Sequence, residues 1–126
     1  TCVRNATREF RHPWWSILVN FLHDPMPIVG KLPCLRFFAL HVCFRGSKVV
    51  CSGEDFPQLT YLKLDGLFNL QEWVVEKGAF PNLAKIEIWN CPIRRFPDVL
   101  PITLEIATNR KIPGIERYKL EPGLID

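Results

Sequence analysis

Cysteine and histidine are the residues best able to do chemistry in this chain of 126 residues, and their spacing limits what that chemistry can be. The five cysteines occupy positions 2, 34, 43, 51 and 91, and the three histidines occupy positions 12, 23 and 41. There is no Cys-x-x-Cys pair, and an odd number of cysteines without one argues against a zinc ribbon and against a disulfide framework. We therefore expect reduced thiols, which serve as small core residues.

Nucleophilic catalysis would need a cysteine and a histidine that meet. His41 lies two residues before Cys43, but the strand predicted there turns the ring outward and leaves the thiol at the following turn. Gly30-Lys31 has no upstream glycine at the spacing of a phosphate-binding loop, and no His/Cys cluster suggests a metal site. We predict that the chain is not an enzyme and has no cofactor, no metal and no small-molecule substrate.

A repeat of 24 residues organises the sequence instead. Proline recurs at positions 33, 57 and 81, each time after an apolar residue and before an L-x-x-L-x-L pattern that begins at Leu35, Leu59 and Leu83. Self-similarity at a step of 20 to 29 residues with this pattern is typical of leucine-rich repeats. We predict an α/β leucine-rich-repeat solenoid, with short parallel strands on a concave face and with irregular loops and short helices on the convex face.

Alternation along each predicted strand separates buried from exposed side chains. The residues that point outward should line up in columns on the concave face, and aromatic residues are enriched in protein-binding hot spots. Shielding by neighbouring units remains an equally good explanation of these aromatic residues. The candidate protein-binding face comprises Phe37, His41, Tyr61, Lys63, Asp65, Lys85, Glu87 and Trp89.

Eight residues after the first leucine of each unit, such repeats favour a small hydrogen-bonding group inside a turn. Cys43, Leu67 and Cys91 hold that position. A thiol is a weak donor and leucine has no polar group, so the pattern gives the two cysteines a structural role rather than a catalytic one.

The remaining segments are assigned by the same step. A degenerate repeat over 11–19 should place a strand at about 13–18, and the segment 45–55 should be an irregular loop. Leu70, Trp73 and Val74 have helical spacing, which predicts one or two helical turns within 68–78 that end at Gly78. The last unit should follow a step of 18, with Pro101, Leu104 and Ile106 in the pattern positions.

Length and composition favour one domain over residues 1–126, with four to five repeats and a polar C-terminal cap at 108–126. The net charge of +3 is spread along the chain, so nucleic acid is not an expected partner. No apolar run is long enough to span a membrane. The chain begins with threonine and carries no leader-like segment, which favours a fragment of a longer protein.

The wording of several segments resembles one protein family. Asp24-Pro25-Met26-Pro27, Gly53 to Leu59, Leu67 to Trp73, Lys77 to Leu83 and Ile86 to Pro92 are similar in order and content to segments of plant nucleotide-binding leucine-rich-repeat disease-resistance proteins of the coiled-coil class. The resemblance covers about residues 14–107. It implies the C-terminal repeat region of such a receptor.

What this resemblance implies about function is a set of expectations. The repeats of the family take part in sensing pathogen effectors and fold back on the receptor's own nucleotide-binding region, so the expected partners are proteins and the expected location is cytoplasmic. The family's nucleotide-binding motifs are absent from this chain, so nucleotide binding is not expected of it. The alternative is a generic leucine-rich-repeat scaffold or adaptor that binds another protein.

Overall fold

The computed structural model of the chain describes residues 5–6, 30–41 and 46–121. The strand predicted at 13–18 and the turn at Cys43 lie outside these residues. Short strands dominate the described part, which also contains one 3₁₀ turn at Ile115–Arg117. The strands are β1 (Asn5–Ala6), β2 (Phe37–His41), β3 (Lys48–Cys51), β4 (Tyr61–Asp65), β5 (Glu72–Val75), β6 (Lys85–Trp89), β7 (Glu105–Thr108) and β8 (Lys119–Leu120).

The larger sheet contains six strands in the order β1-β2-β4-β6-β7-β8, and every neighbouring pair is parallel. Phe37 pairs with Tyr61 and Tyr61 pairs with Lys85, so the central strands are in register at the step of 24 residues. The predicted parallel strands and their register are confirmed here. The coarse α/β expectation of parallel strands with few helices also agrees with the structure.

The second sheet was not predicted. β3 and β5 pair in parallel, with Lys48 opposite Glu72 and Cys51 opposite Val75. The helical turns expected in 68–78 and the loop expected in 45–55 were therefore wrong at these strands. Trp73 is buried while Val74 is 39% exposed, which is the alternation of a strand rather than the stripe of a helix.

Gly78 ends no helix, but its conformation is still required. Its φ of 99° lies in the left-handed region, and a Cβ at this position would be 2.5 Å from the carbonyl oxygen of Gly53. Only glycine fits that close approach of two turns without a shift of the backbone.

The core lies beneath the larger sheet and contains the side chains that alternate inward. Leu62 and Leu64 of β4, like Ile86 and Ile88 of β6, are at most 1% exposed. The aromatic side chains of the core also stack from unit to unit. The rings of Phe56 and Phe80 are nearly parallel, with centroids 4.6 Å apart, and Trp73 packs edge-on against Phe80 and Phe96.

The same turn precedes each central strand. Leu59 N–H donates to Phe56 O and Leu83 N–H donates to Phe80 O, and both phenylalanines have positive φ, 55° and 53°. Asp55, just before the first of these turns, has a side chain that is 1% exposed. Its carboxylate accepts hydrogen bonds from Lys31 Nζ at 2.8 Å and from the Ser52 N–H at 2.9 Å, so this buried charge is satisfied.

Both ends of the larger sheet depart from the predicted steps. β1 pairs with β2 through Asn5 and Phe37, so the neighbour of β2 is this short strand and not the segment 13–18. At the other end Lys85 pairs with Glu105, so the strand step is 20 rather than 18. The step differs because Leu104, whose N–H donates to Pro101 O, takes the turn position of Leu83 rather than the strand position of Ile86.

The C-terminal segment contributes a strand and buried side chains. β8 pairs with β7, and Ile112, Ile115 and Tyr118 are at most 5% exposed. The Tyr118 hydroxyl donates to Pro97 O at 2.9 Å, which joins this segment to the preceding unit. Among the described residues, the structure contains no helix long and apolar enough to cross a membrane.

A buried charge should separate the two faces of β6. We expect Ile86→Asp to lower the free energy of unfolding by more than ~4 kcal/mol, because it places an unpaired carboxylate in the core. Ala84→Asp, at an exposed position two residues earlier, should change it by no more than about 0.5 kcal/mol. Urea unfolding monitored by circular dichroism measures both variants. Similar losses in the two would contradict the assignment of faces.

Candidate protein-binding face

The outward side chains of β2, β4 and β6 form one surface, which we call the open face. The strand register places Phe37, Tyr61 and Lys85 in one column and Ala39, Lys63 and Glu87 in a second. His41, Asp65 and Trp89 form the third column at the level of the backbone. The predicted columns are thus confirmed as positions, whereas their role in binding stays a prediction.

An aromatic pair dominates the first column. The rings of Phe37 and Tyr61 stack with centroids 4.5 Å apart and an interplanar angle of 8°. Both side chains are half-buried, so the stack stays partly accessible. Because parallel in-register pairing sets one ring directly beside the next, the two form a flat apolar surface that a partner can cover without moving them.

The charged residues on the β6 side of the open face hydrogen-bond within the protein. Lys85 Nζ donates to Glu121 Oε1 at 2.5 Å, and Trp89 Nε1 donates to Glu87 Oε1 at 3.0 Å. Glu105 and Lys119 form a looser ion pair at 3.5 Å. These contacts leave three predicted binding residues, Lys85, Glu87 and Trp89, already engaged.

Sequence reasoning missed three members of this face: Glu105, Lys119 and Glu121. They join it because β7 and β8 continue the sheet, with Lys85 opposite Glu105 and Glu105 opposite Lys119. The alternation of sign along that column was the available signal. The misplaced step of the last unit concealed it.

Lys63, Asp65 and His41 complete the open face. Lys63 and Asp65 are half-buried on β4. His41 ends β2 opposite Asp65, and its side chain lies outside the described residues. Lys63 pairs in register with Glu87, which places the positive and negative groups of the second column on adjacent strands.

Cys91 has the structural position that the sequence gave it. The side chain is 1% exposed, and its thiol donates to Trp89 O at 3.4 Å. Burial raises the pKa of Cys91 to about 11, although backbone hydrogen bonds of Leu67 and Gly66 act in the opposite direction. A thiol held protonated inside a turn is a poor nucleophile.

The other cysteines correct the expectation of uniformly reduced thiols. Cys51 is free and buried, as a small core residue should be. Cys34, however, is disulfide-bonded, and its partner lies outside the described residues because the described Cys51 and Cys91 are free. The odd count of five cysteines did not exclude one bridge.

The described residues form no group of three or more His, Cys, Asp and Glu side chains that could hold a metal ion. Their buried carboxylate, Asp55, is committed to Lys31 and Ser52. The chemistry available on the open face is therefore contact: a stacked apolar pair beside polar and charged groups.

The raised pKa of Cys91 predicts a pH-dependent stability. The folded thiol keeps its proton up to about pH 11, whereas the ordinary value is 9.0. The stabilisation is fully present below pH 9 and is lost as the pH rises through this window, by ~1.4 kcal/mol per unit. We expect Cys91→Ala to lose less stability than the unaltered chain, by about 2 kcal/mol, between pH 8.5 and 10.5. Urea unfolding at the two pH values tests this, and equal losses would contradict it.

Comparison with known proteins gives homologues in one class. The chain is 38% identical over 105 residues to "Disease resistance protein RPP8" of Arabidopsis thaliana, a match covering 79% of this chain and 12% of that protein. It is 43% identical over 101 residues to "Disease susceptibility protein LOV1" of the same plant, covering 79% of this chain and 11% of that protein.

A third relative, "Probable disease resistance protein RXW24L", is 42% identical over 78 residues, which cover 61% of this chain and 9% of that protein. No protein-family model matches the chain, and no solved structure matches it. The chain therefore spans roughly a tenth of the length of these relatives. Its homologues are Arabidopsis disease resistance proteins, similar over most of the present sequence.

Proposed function

We propose that this chain is a protein-interaction module of a plant intracellular immune receptor, in which it contributes to recognition of pathogen effectors and to autoinhibition. The observation that carries the proposal is the open face, with its accessible Phe37–Tyr61 stack on a parallel sheet. The homology to disease resistance proteins supports a role in plant immunity.

The architecture that we propose is a leucine-rich-repeat solenoid. Three successive strands pair in register at 24-residue steps, and leucines 35, 59 and 83 are each at most 2% exposed. Units that bury their apolar sides only by stacking on neighbours are characteristic of such solenoids. We assign the chain to the C-terminal repeats of a coiled-coil-class nucleotide-binding receptor, on the motif order in residues 14–107.

The partner that we propose is a protein: a pathogen effector, the receptor's own nucleotide-binding region, or both in turn. An aromatic stack beside mixed charges suits a protein surface, since Tyr and other aromatic residues supply much of the energy of protein interfaces. The open face mixes Lys63 and Lys85 with Asp65 and Glu87, which does not favour a polyanion such as nucleic acid. A cytoplasmic location follows from the receptor class proposed.

The alternative is a leucine-rich-repeat scaffold without an immune role. The two differ in what precedes the repeats in the complete gene. We expect an upstream Gly-x-x-x-x-Gly-Lys-Thr loop, which the receptor needs to hold a nucleotide phosphate. Sequencing the full-length transcript decides this, because a complete reading frame without the loop favours the scaffold.

The open face is tested by removing the aromatic stack. We expect Phe37→Ala with Tyr61→Ala to weaken binding of the receptor's own nucleotide-binding region by about 30-fold, the size of a 2 kcal/mol hot spot. Binding is measured by biolayer interferometry on the two purified parts. In leaves, the same double variant of the full-length receptor should show changed effector response or autoactivity.

The matched control is Glu54→Ala, which changes an exposed residue outside the open face and should leave binding unchanged. Circular dichroism confirms that each variant is folded. If the double variant binds and signals like the unaltered receptor, the open face is not the contact surface.

A further inference from the structure

The smaller sheet stops after two strands, and the backbone bonds show where a third would begin. Gln71 N–H donates to Ser47 O at 2.9 Å, and one unit later Arg94 N–H donates to Gln71 O at the same distance. The next rung would join Phe96 N–H to Trp73 O. Phe96 N–H donates instead to Pro113 O at 2.8 Å, and the following residue, Pro97, has no N–H. The third strand therefore ends after its first hydrogen bond.

This interruption leaves backbone groups of β5 at a free edge. Glu72 and Glu76 donate their N–H groups to Ser47 and Cys51, which sets the even-numbered residues toward β3. Alternate residues of a strand direct their polar groups to opposite edges, so Trp73 and Val75 face away from β3. Within residues 30–41 and 46–121, no backbone hydrogen bond outside the β3–β5 ladder reaches them.

A cleft of about 450 Å³ lies along this edge, lined by residues 71–75 on one side and 94–98 on the other. Its lining carries Arg94 and Arg95 against Glu72 and Asp98, so the charges cancel. Val74 is 39% exposed beside it. The cleft thus offers a strand's donors and acceptors together with apolar surface, and no excess of either charge.

We propose that the free edge of β5 binds a neutral, extended peptide segment of a partner protein, which completes the smaller sheet as its third strand. An extended segment can satisfy the Trp73 carbonyl and the Val75 N–H at strand spacing, whereas a helix has its own backbone groups already paired. The balanced lining favours a neutral segment over an acidic or basic one. This site belongs to the smaller sheet and does not depend on the function proposed for the open face.

The test uses the 126-residue chain and a fluorescein-labelled, neutral eight-residue peptide of alternating threonine and valine. Fluorescence anisotropy should show saturable binding, weakened at least tenfold when the two central residues of the peptide are replaced by proline, because proline removes backbone donors. Val75→Pro should cause a similar loss. Val74→Thr, which changes only an outward side chain, should bind within twofold of the unaltered chain.

Amide hydrogen exchange on the unaltered chain tests the same edge without relying on a variant that folds. The Trp73 and Val75 amides should exchange faster than those of Val74 and Glu76, and the peptide should slow the first pair at least tenfold. Protection of Trp73 and Val75 in the free chain, or no slowing by the peptide, overturns the proposal. Tyr61→Ala should leave peptide binding unchanged, so a failed open face and a failed β5 edge give different results.

Discussion

In-register parallel stacking is the constraint on which the rest of the structure depends. A step of 24 residues sets each side chain of β4 beside its counterparts in β2 and β6. Apolar residues gain from such proximity to their own kind, as the 4.6 Å stack of Phe56 on Phe80 illustrates. Like charges would repel there, and the described columns avoid this: Lys63 lies opposite Glu87, and Lys85, Glu105 and Lys119 alternate in sign.

The stacking also holds the backbone in an unfavourable conformation. Phe56 and Phe80 precede prolines, where an extended backbone is expected, yet both have φ near 55°. A bulky residue in this region costs on the order of 1–3 kcal/mol. Full burial of a phenylalanine contributes about 1.5–3 kcal/mol, and a ring pair adds about 0.5–1.5 kcal/mol. The two effects are comparable, so the strained turn persists because the repeated core needs a ring at that position.

The sequence predicted what the repeat determines and failed where the repeat changes. Leu35, Leu59 and Leu83 gave the step, and the step alone gave the neighbours of Phe37, Tyr61 and Lys85. It could not give the pairing of Glu72–Val75 with Lys48–Cys51, because four residues contain too little periodicity to separate a strand from a helical turn. The step of 20 to β7 was missed for a related reason: Leu104 fits either the turn or the strand position, and only the hydrogen bond to Pro101 decides.

The distribution of hydrogen bonds across the open face bears on how it can bind. On the β6–β8 side, Lys85 and Glu87 already have partners within the protein, and a ligand must break those contacts before it gains its own. On the β2–β4 side, the Phe37–Tyr61 stack offers area that is lost to water at no such cost. Binding energy should therefore concentrate at the aromatic pair, while the paired charges beside it mainly exclude partners with the wrong pattern of charge.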